Sequence, residues 1–168
     1  MKAVANTILA VILVSIFILT FTNFVLLFPW YLTLVYETAG LSTDAAAVNG
    51  VTENMIDNVI NDLQGKPLFK RKMSDLKIYI NDGTDEDFEH EVSTAVFSDS
   101  NEVKYRRQRG EKIKIGIEAV FPFDIKVFGV TYSYEMPIRF DLSSMGIRYY
   151  KDLDPYSPAE PVLLEEDN

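Results

Sequence analysis

The sequence predicts an α+β chain in which a long amino-terminal helix packs on a small antiparallel β-sheet. Three observations predict it. Residues 3–36 carry no charge. Residues 51–63 place apolar side chains at three-to-four spacing, the mark of an amphipathic helix. Several later runs alternate apolar and polar residues, the period of a half-buried strand. All 25 acidic residues and 15 of the 16 basic ones lie beyond residue 36. The chain therefore divides into an apolar anchor (1–36), an amphipathic helical segment (37–66), a sheet domain (67–151) and an acidic tail (152–168).

A helix that crosses about 30 Å of hydrocarbon needs roughly 20 apolar residues. Residues 7–28, TILAVILVSIFILTFTNFVLLF, meet that need, with Ser, Thr and one Asn as their only polar members. A secretory signal has a shorter apolar core with a small-residue cleavage site close behind it. Here the nearest small cluster, Ala45, Ala46 and Ala47, lies well downstream. The run reads as an uncleaved, single-pass plasma-membrane anchor. Ile8, Leu9, Val11, Ile12, Ile16, Phe17, Leu19, Phe24 and Phe28 supply its lipid-facing or assembly surface. Lys2 gives the positive flank, and Glu37 and Asp44 are the first charges beyond the run. The positive-inside rule then places the amino terminus in the cytoplasm and the body outside.

Pro29, Trp30 and Tyr31 follow the span. Proline removes a helical hydrogen bond and crowds the preceding turn, so a kink or break is expected there. Trp and Tyr favour the membrane interface, where a polar edge and an apolar ring are both satisfied. One reading ends the span near Phe28 with an aromatic belt. The other keeps a bent, continuous helix whose apolar surface packs against further copies.

Beyond Tyr36, Val51, Met55, Ile56, Val59, Ile60 and Leu63 form the helical stripe, with Gly65 and Pro67 ending it. Gly50 is a candidate break and Thr52 a candidate cap for the second half. Leu76, Ile78 and Ile80 alternate in DLKIYIND; Ile113, Ile115, Ile117, Ala119 and Phe121 do so in EKIKIGIEAVF. Tyr132, Tyr134, Met136, Ile138, Phe140 and Leu142 repeat the pattern, with Pro137 on the opposite face marking an edge strand or bulge. EVSTAVFS and EVKYRR are weaker strand candidates. The last 17 residues hold six acids, three prolines and no base, the composition of a loose tail.

The chemistry is sparse. There is no cysteine, which removes disulfides and thiolate ligands. Nucleotide-loop, HExxH and G-x-S-x-G patterns are absent. No catalytic, cofactor-binding or metal-ligating set can be picked out, and the acidic balance argues against nucleic acid. His90, the sole histidine, reads as a solvated loop residue. Asp82, Asp85, Asp87 and Glu89 offer oxygens to a cation, but their spacing is not that of an EF-hand and a plain acidic loop is the simpler reading. The basic run KYRRQRGEKIK makes Arg106, Arg107 and Arg109 a candidate docking patch on a hairpin, for a neighbouring acidic surface, anionic headgroups or a wall polymer; solvated hairpin ends that blunt a sheet edge are the simpler reading. KPLFKRK adds Lys66, Lys70, Arg71 and Lys72.

The layout of apolar helix, amphipathic continuation and small antiparallel sheet resembles a pilin or pseudopilin. The stretch FPFDIKVFGVTYSYEMPIRFDLSSMGIRYYKDL resembles the end of TadE-like minor pilins and their Gram-positive relatives, a hairpin followed by a Gly-centred Tyr-Lys ending, here Gly146 to Lys151. That resemblance implies a structural subunit or accessory of a surface filament, secretion or conjugation assembly. Its implied partners are the bilayer, copies of itself or other pilin-like subunits, and an assembly platform. MKAVANTILA lacks the Gly-type peptidase site and early Glu of prepilins, which implies different processing or residence in the membrane. The rival reading is an anchored extracellular module that binds a wall polymer or partner protein through the basic hairpin.

Overall fold

The computed structural model describes residues 2–81, 89–127 and 130–153. Helix α1 spans Lys2–Val48 and helix α2 spans Glu53–Gln64; a 3-10 segment, Lys70–Asp75, leads into the strands. Strands β1 (Lys77–Asn81), β2 (Glu89–Glu91), β3 (Lys112–Val127) and β4 (Val130–Met145) form one antiparallel sheet in the order β2-β1-β3-β4. The predicted α+β arrangement is present.

Helix α1 is not broken at Pro29. The proline forfeits one backbone bond, at a cost of about 3 kcal/mol. Trp30 offsets that by entering the core, fully buried, stacked on Phe69 at 4.8 Å and edge-on to Phe121 at 5.4 Å. It is therefore a core residue of the body, not an exposed interfacial aromatic, while Tyr31 beside it stays partly exposed and meets Phe140 edge-on. Trp30, Leu34, Thr38, Leu41 and Ala45 form a stripe with helical spacing that lies on the sheet. No structural boundary falls between residues 36 and 37, because one helix carries both sides.

That helix ends in a Schellman motif. Gly50 N–H donates back to the Ala45 carbonyl at 3.0 Å, and Asn49 takes the left-handed position with φ 56°. Gly50 thus divides the two helices, and Thr52 caps α2 by accepting from the Met55 N–H at 3.4 Å. Ile56, Val59 and Leu63 of α2 are buried, and Gly65 closes it.

The strand patterns place the expected faces inward. Leu76, Ile78, Ile80, Ile113, Ile115, Ile117, Ala119 and Phe121 are all buried. In β4 the predicted residues share the matching face, paired across from Ile115 through Ile125, but Tyr132 and Tyr134 at one end and Leu142 at the other are exposed, because no described element covers them. Pro137 sits in the edge strand opposite Val120, where a missing N–H is tolerated. EVKYRR is not a strand, and EVSTAVFS contributes only its first residue, Glu91, to the end of β2. The rest belongs to an irregular stretch between β2 and β3, with one isolated bridge, Val51 to Lys104. Of the predicted tail, only residues 152 and 153 are among those described.

Candidate functional site

Helix α1 lives in two environments. From Trp30 onward one of its faces is core; before Asn23 its apolar side chains stand bare. Ile8, Leu9, Val11, Ile16, Phe17, Leu19, Phe24 and Phe28 are exposed and Ile12 is half-buried. The most apolar 18-residue window has no part buried in the body, and by length and composition the helix can cross a membrane. Several of its polar side chains are satisfied along the helix. Thr7, Ser15 and Thr22 donate to the carbonyls of Ala3, Val11 and Ile18 at 2.8–3.0 Å, and Asn23 donates to Leu19 O at 3.1 Å. Such back-bonding lets a hydroxyl enter hydrocarbon without an unpaired donor.

The body first grips α1 at Asn23. Its amide also donates to the Asp124 carbonyl at 2.9 Å, and Phe24 meets Phe123 edge-on at 5.7 Å. Charged side chains gather at this level. Arg71 pairs with Asp124 at 2.8 Å and Lys72 with Glu135 at 2.5 Å, and the Glu135 hydrogen bond is the main reason the Lys72 ammonium is held above its usual range.

The three arginines do not form one exposed patch. Arg107 is buried, donating its guanidinium to Asn81 O at 2.6 Å, while its backbone N–H donates to Asn49 O at 2.7 Å. Arg106 pairs with Asp152 at 3.0 Å and lies over the Tyr150 ring. Arg109 faces solvent at the turn before β3, and Arg106 is exposed as well as paired. Lys104 donates to the Val96 carbonyl and lies over Phe97. The run is consumed as internal fastening because its segment has no ladder of its own, so its backbone and side chains tie to neighbouring elements instead.

Sequence reasoning also missed the polar network on the outer sheet face. Glu89 accepts from Lys114 at 2.9 Å and pairs with Arg139 at 2.6 Å; Arg139 also reaches Asp141 at 2.7 Å and lies over Tyr79. Gly116, cross-strand from Asp141, leaves the room, since a Cβ there would clash with both Asp141 and Arg139. Burial alone would push the Glu89 carboxyl up, but hydrogen bonds and charge from Lys114 and Arg139 more than offset it and hold it below the usual range. The signal lay in cross-strand register, which a single strand's pattern does not reveal.

Because Glu89 is lowered on folding, its contribution is complete above the ordinary value of 4.5 and is lost as pH falls through the lower folded value. We expect Glu89→Gln to destabilise the body by about 1–2 kcal/mol at pH 7. Thermal unfolding of the detergent-solubilised chain across pH checks this. The gap to wild type should begin to close below 4.5; a gap unchanged in strong acid would rule out the carboxylate as its source.

Glu89 is thus engaged by two cations, and Asp82, Asp85 and Asp87 of the candidate calcium loop lie outside the described residues. No group of three or more His, Asp or Glu side chains suited to a metal occurs among the described residues. His90 is not a solvated loop residue: it lies in β2, half-buried, with its ring stacked on Tyr105 at 4.7 Å. Comparison with known proteins adds no relative, for no family model, curated protein or solved structure matches the chain.

Proposed function

We propose that this chain is a single-pass membrane protein of pilin-like design, a structural subunit or accessory of a surface filament, secretion or conjugation assembly. One observation carries the reading: a single helix is bare and apolar over residues 3–22 and then becomes the core helix of a sheet domain. A bare apolar helix surface in water is strongly unfavourable, at about 25 cal/mol per Å² exposed. Lipid or other apolar helices relieve it. The amino terminus is assigned to the cytoplasm and the body to the outer side. The partners are the bilayer, further copies or related subunits, and an assembly platform. The rival reading, a binding module working through the basic run expected as a hairpin, has less support because the run is irregular, Arg107 is buried and Arg106 is paired.

The chain contains no cysteine, so single-cysteine variants report unambiguously. With Leu9→Cys, Leu13→Cys or Phe17→Cys in native membranes, oxidation should give disulfide-linked dimers at some helix positions and not others. Monomers at every position, together with full retention of function after exchange of residues 3–22 for an unrelated anchor, would refute an assembly role.

A further inference from the structure

The β3–β4 hairpin follows α1 down toward its amino-terminal end. Successive contacts fix the direction: Ser144 with Ser42, Phe140 with Tyr31, Phe121 with Trp30, Phe123 with Phe24, and Asp124 with Asn23. The ladder does not stop there. Three further pairs, Ile125 to Tyr132, Lys126 to Thr131 and Val127 to Val130, carry it past the Asn23–Asp124 contact. At about 3.3 Å per residue they extend roughly 10 Å.

A membrane span leaves little room for that extension. The uncharged run starts after Lys2, and the ion pairs of Arg71 with Asp124 and Lys72 with Glu135 hold the level of Asn23 in water or headgroups. The hydrocarbon segment is therefore residues 3–22, about 30 Å of helix. The hairpin end then overlaps the last two turns of the span. Its chemistry suits that depth. Residues 125–134 contain no acid in a body that is otherwise rich in them. Val130, Tyr132 and Tyr134 are 54%, 63% and 65% exposed, on the face that forms the core higher up. Tyrosine favours the headgroup boundary, and Lys70 and Arg71 lie exposed on the segment that pairs with the same hairpin. Among the described residues β4 is an edge strand, and this sets the limit, because unpaired strand groups are not tolerated deep in hydrocarbon.

We propose that the end of the β3–β4 hairpin, through Val130, Tyr132 and Tyr134, is a second membrane contact that rests in the headgroup–acyl boundary beside the spanning helix. This rests on the single-pass reading above. The occupant of the exposed apolar face is the bilayer that holds α1. Two attachments then fix the tilt of the body.

The test uses the full chain in anionic phospholipid vesicles, with an environment-sensitive fluorophore on one introduced cysteine. Val130→Cys probes the hairpin, Tyr132→Cys repeats the measurement at a second site, Leu13→Cys reports the span and Val96→Cys reports water. Circular dichroism confirms that each labelled chain retains its sheet. Labels at 130 and 132 should emit at shorter wavelength than at 96 and be quenched by shallow lipid-borne nitroxides more than by deep ones. A lipid signal at 13 with a water signal at 130 and 132 overturns the proposal and leaves the single-pass reading standing. A water signal at 13 overturns both. Labels at 130 and 132 that are shielded only at high protein density, without lipid quenching, would assign the face to a second copy and overturn the bilayer contact.

Discussion

Trp30→Ala should remove about 3–5 kcal/mol from the stability of the body, a large share of the 5–15 kcal/mol typical of a domain. The indole is fully buried between Phe69 and Phe121 and joins α1 to both the sheet and the segment after α2. Truncation leaves a cavity at the point where α1 enters the core. Its N–H finds no hydrogen-bond acceptor among the described residues, so Trp30→Phe loses ring volume but no hydrogen bond and should retain most of the stability. Denaturant unfolding of the detergent-solubilised chain, followed by far-ultraviolet circular dichroism because the sole tryptophan is removed, measures both. If Trp30 served only as an interfacial anchor, Trp30→Ala would leave the unfolding midpoint unchanged.

Asn49→Ala should cost about 2–4 kcal/mol, from two separable sources. The residue holds φ 56°, a conformation that favours glycine or asparagine. Its buried amide donates to Arg107 O at 3.0 Å and Arg148 O at 2.5 Å, and its Oδ1 accepts from Arg148 N–H at 2.8 Å. One side chain thereby joins the end of α1, the irregular stretch before β3 and the chain after β4. Gly146 gives it space, since a Cβ there would collide with the Asn49 amide. Asn49→Gly relieves the backbone term but not the lost hydrogen bonds, so its stability should fall between wild type and Asn49→Ala. Equal losses for the two variants would leave the hydrogen bonds as the whole effect. A loss below about 1 kcal/mol for Asn49→Ala would show that water replaces the side chain. Hydrogen exchange should quicken first at residues 146–150.

Much of the scaffold was legible in the sequence because contrast between neighbours carries the signal. Alternation around Ile78 and Ile115 placed the strands and their buried faces, and Gly50, Thr52 and Gly65 marked the helix ends. Trp30 and Leu34 were not legible. Every residue from 3 to 36 is uncharged and most are apolar, so the helical stripe that enters the core has no polar side against which to stand out. The role of Arg107 was hidden for the opposite reason. Arginine is mostly a surface residue, and only the fold reveals the Asn81 carbonyl that it satisfies. Asn49 carried a local cue, Asn-Gly after an alanine-rich helix, but its long-range partners Arg107 and Arg148 depend on tertiary register.

An uninterrupted α1 has a mechanical consequence. At 47 residues it is a rod of about 70 Å whose two halves share one backbone. No swivel separates the apolar segment from the body, so rotation about the helix axis turns both together. A pull on the sheet reaches the bare apolar turns through helical hydrogen bonds and the packing at Trp30, with no slack to take up first. The body and the bare apolar segment therefore move as one lever.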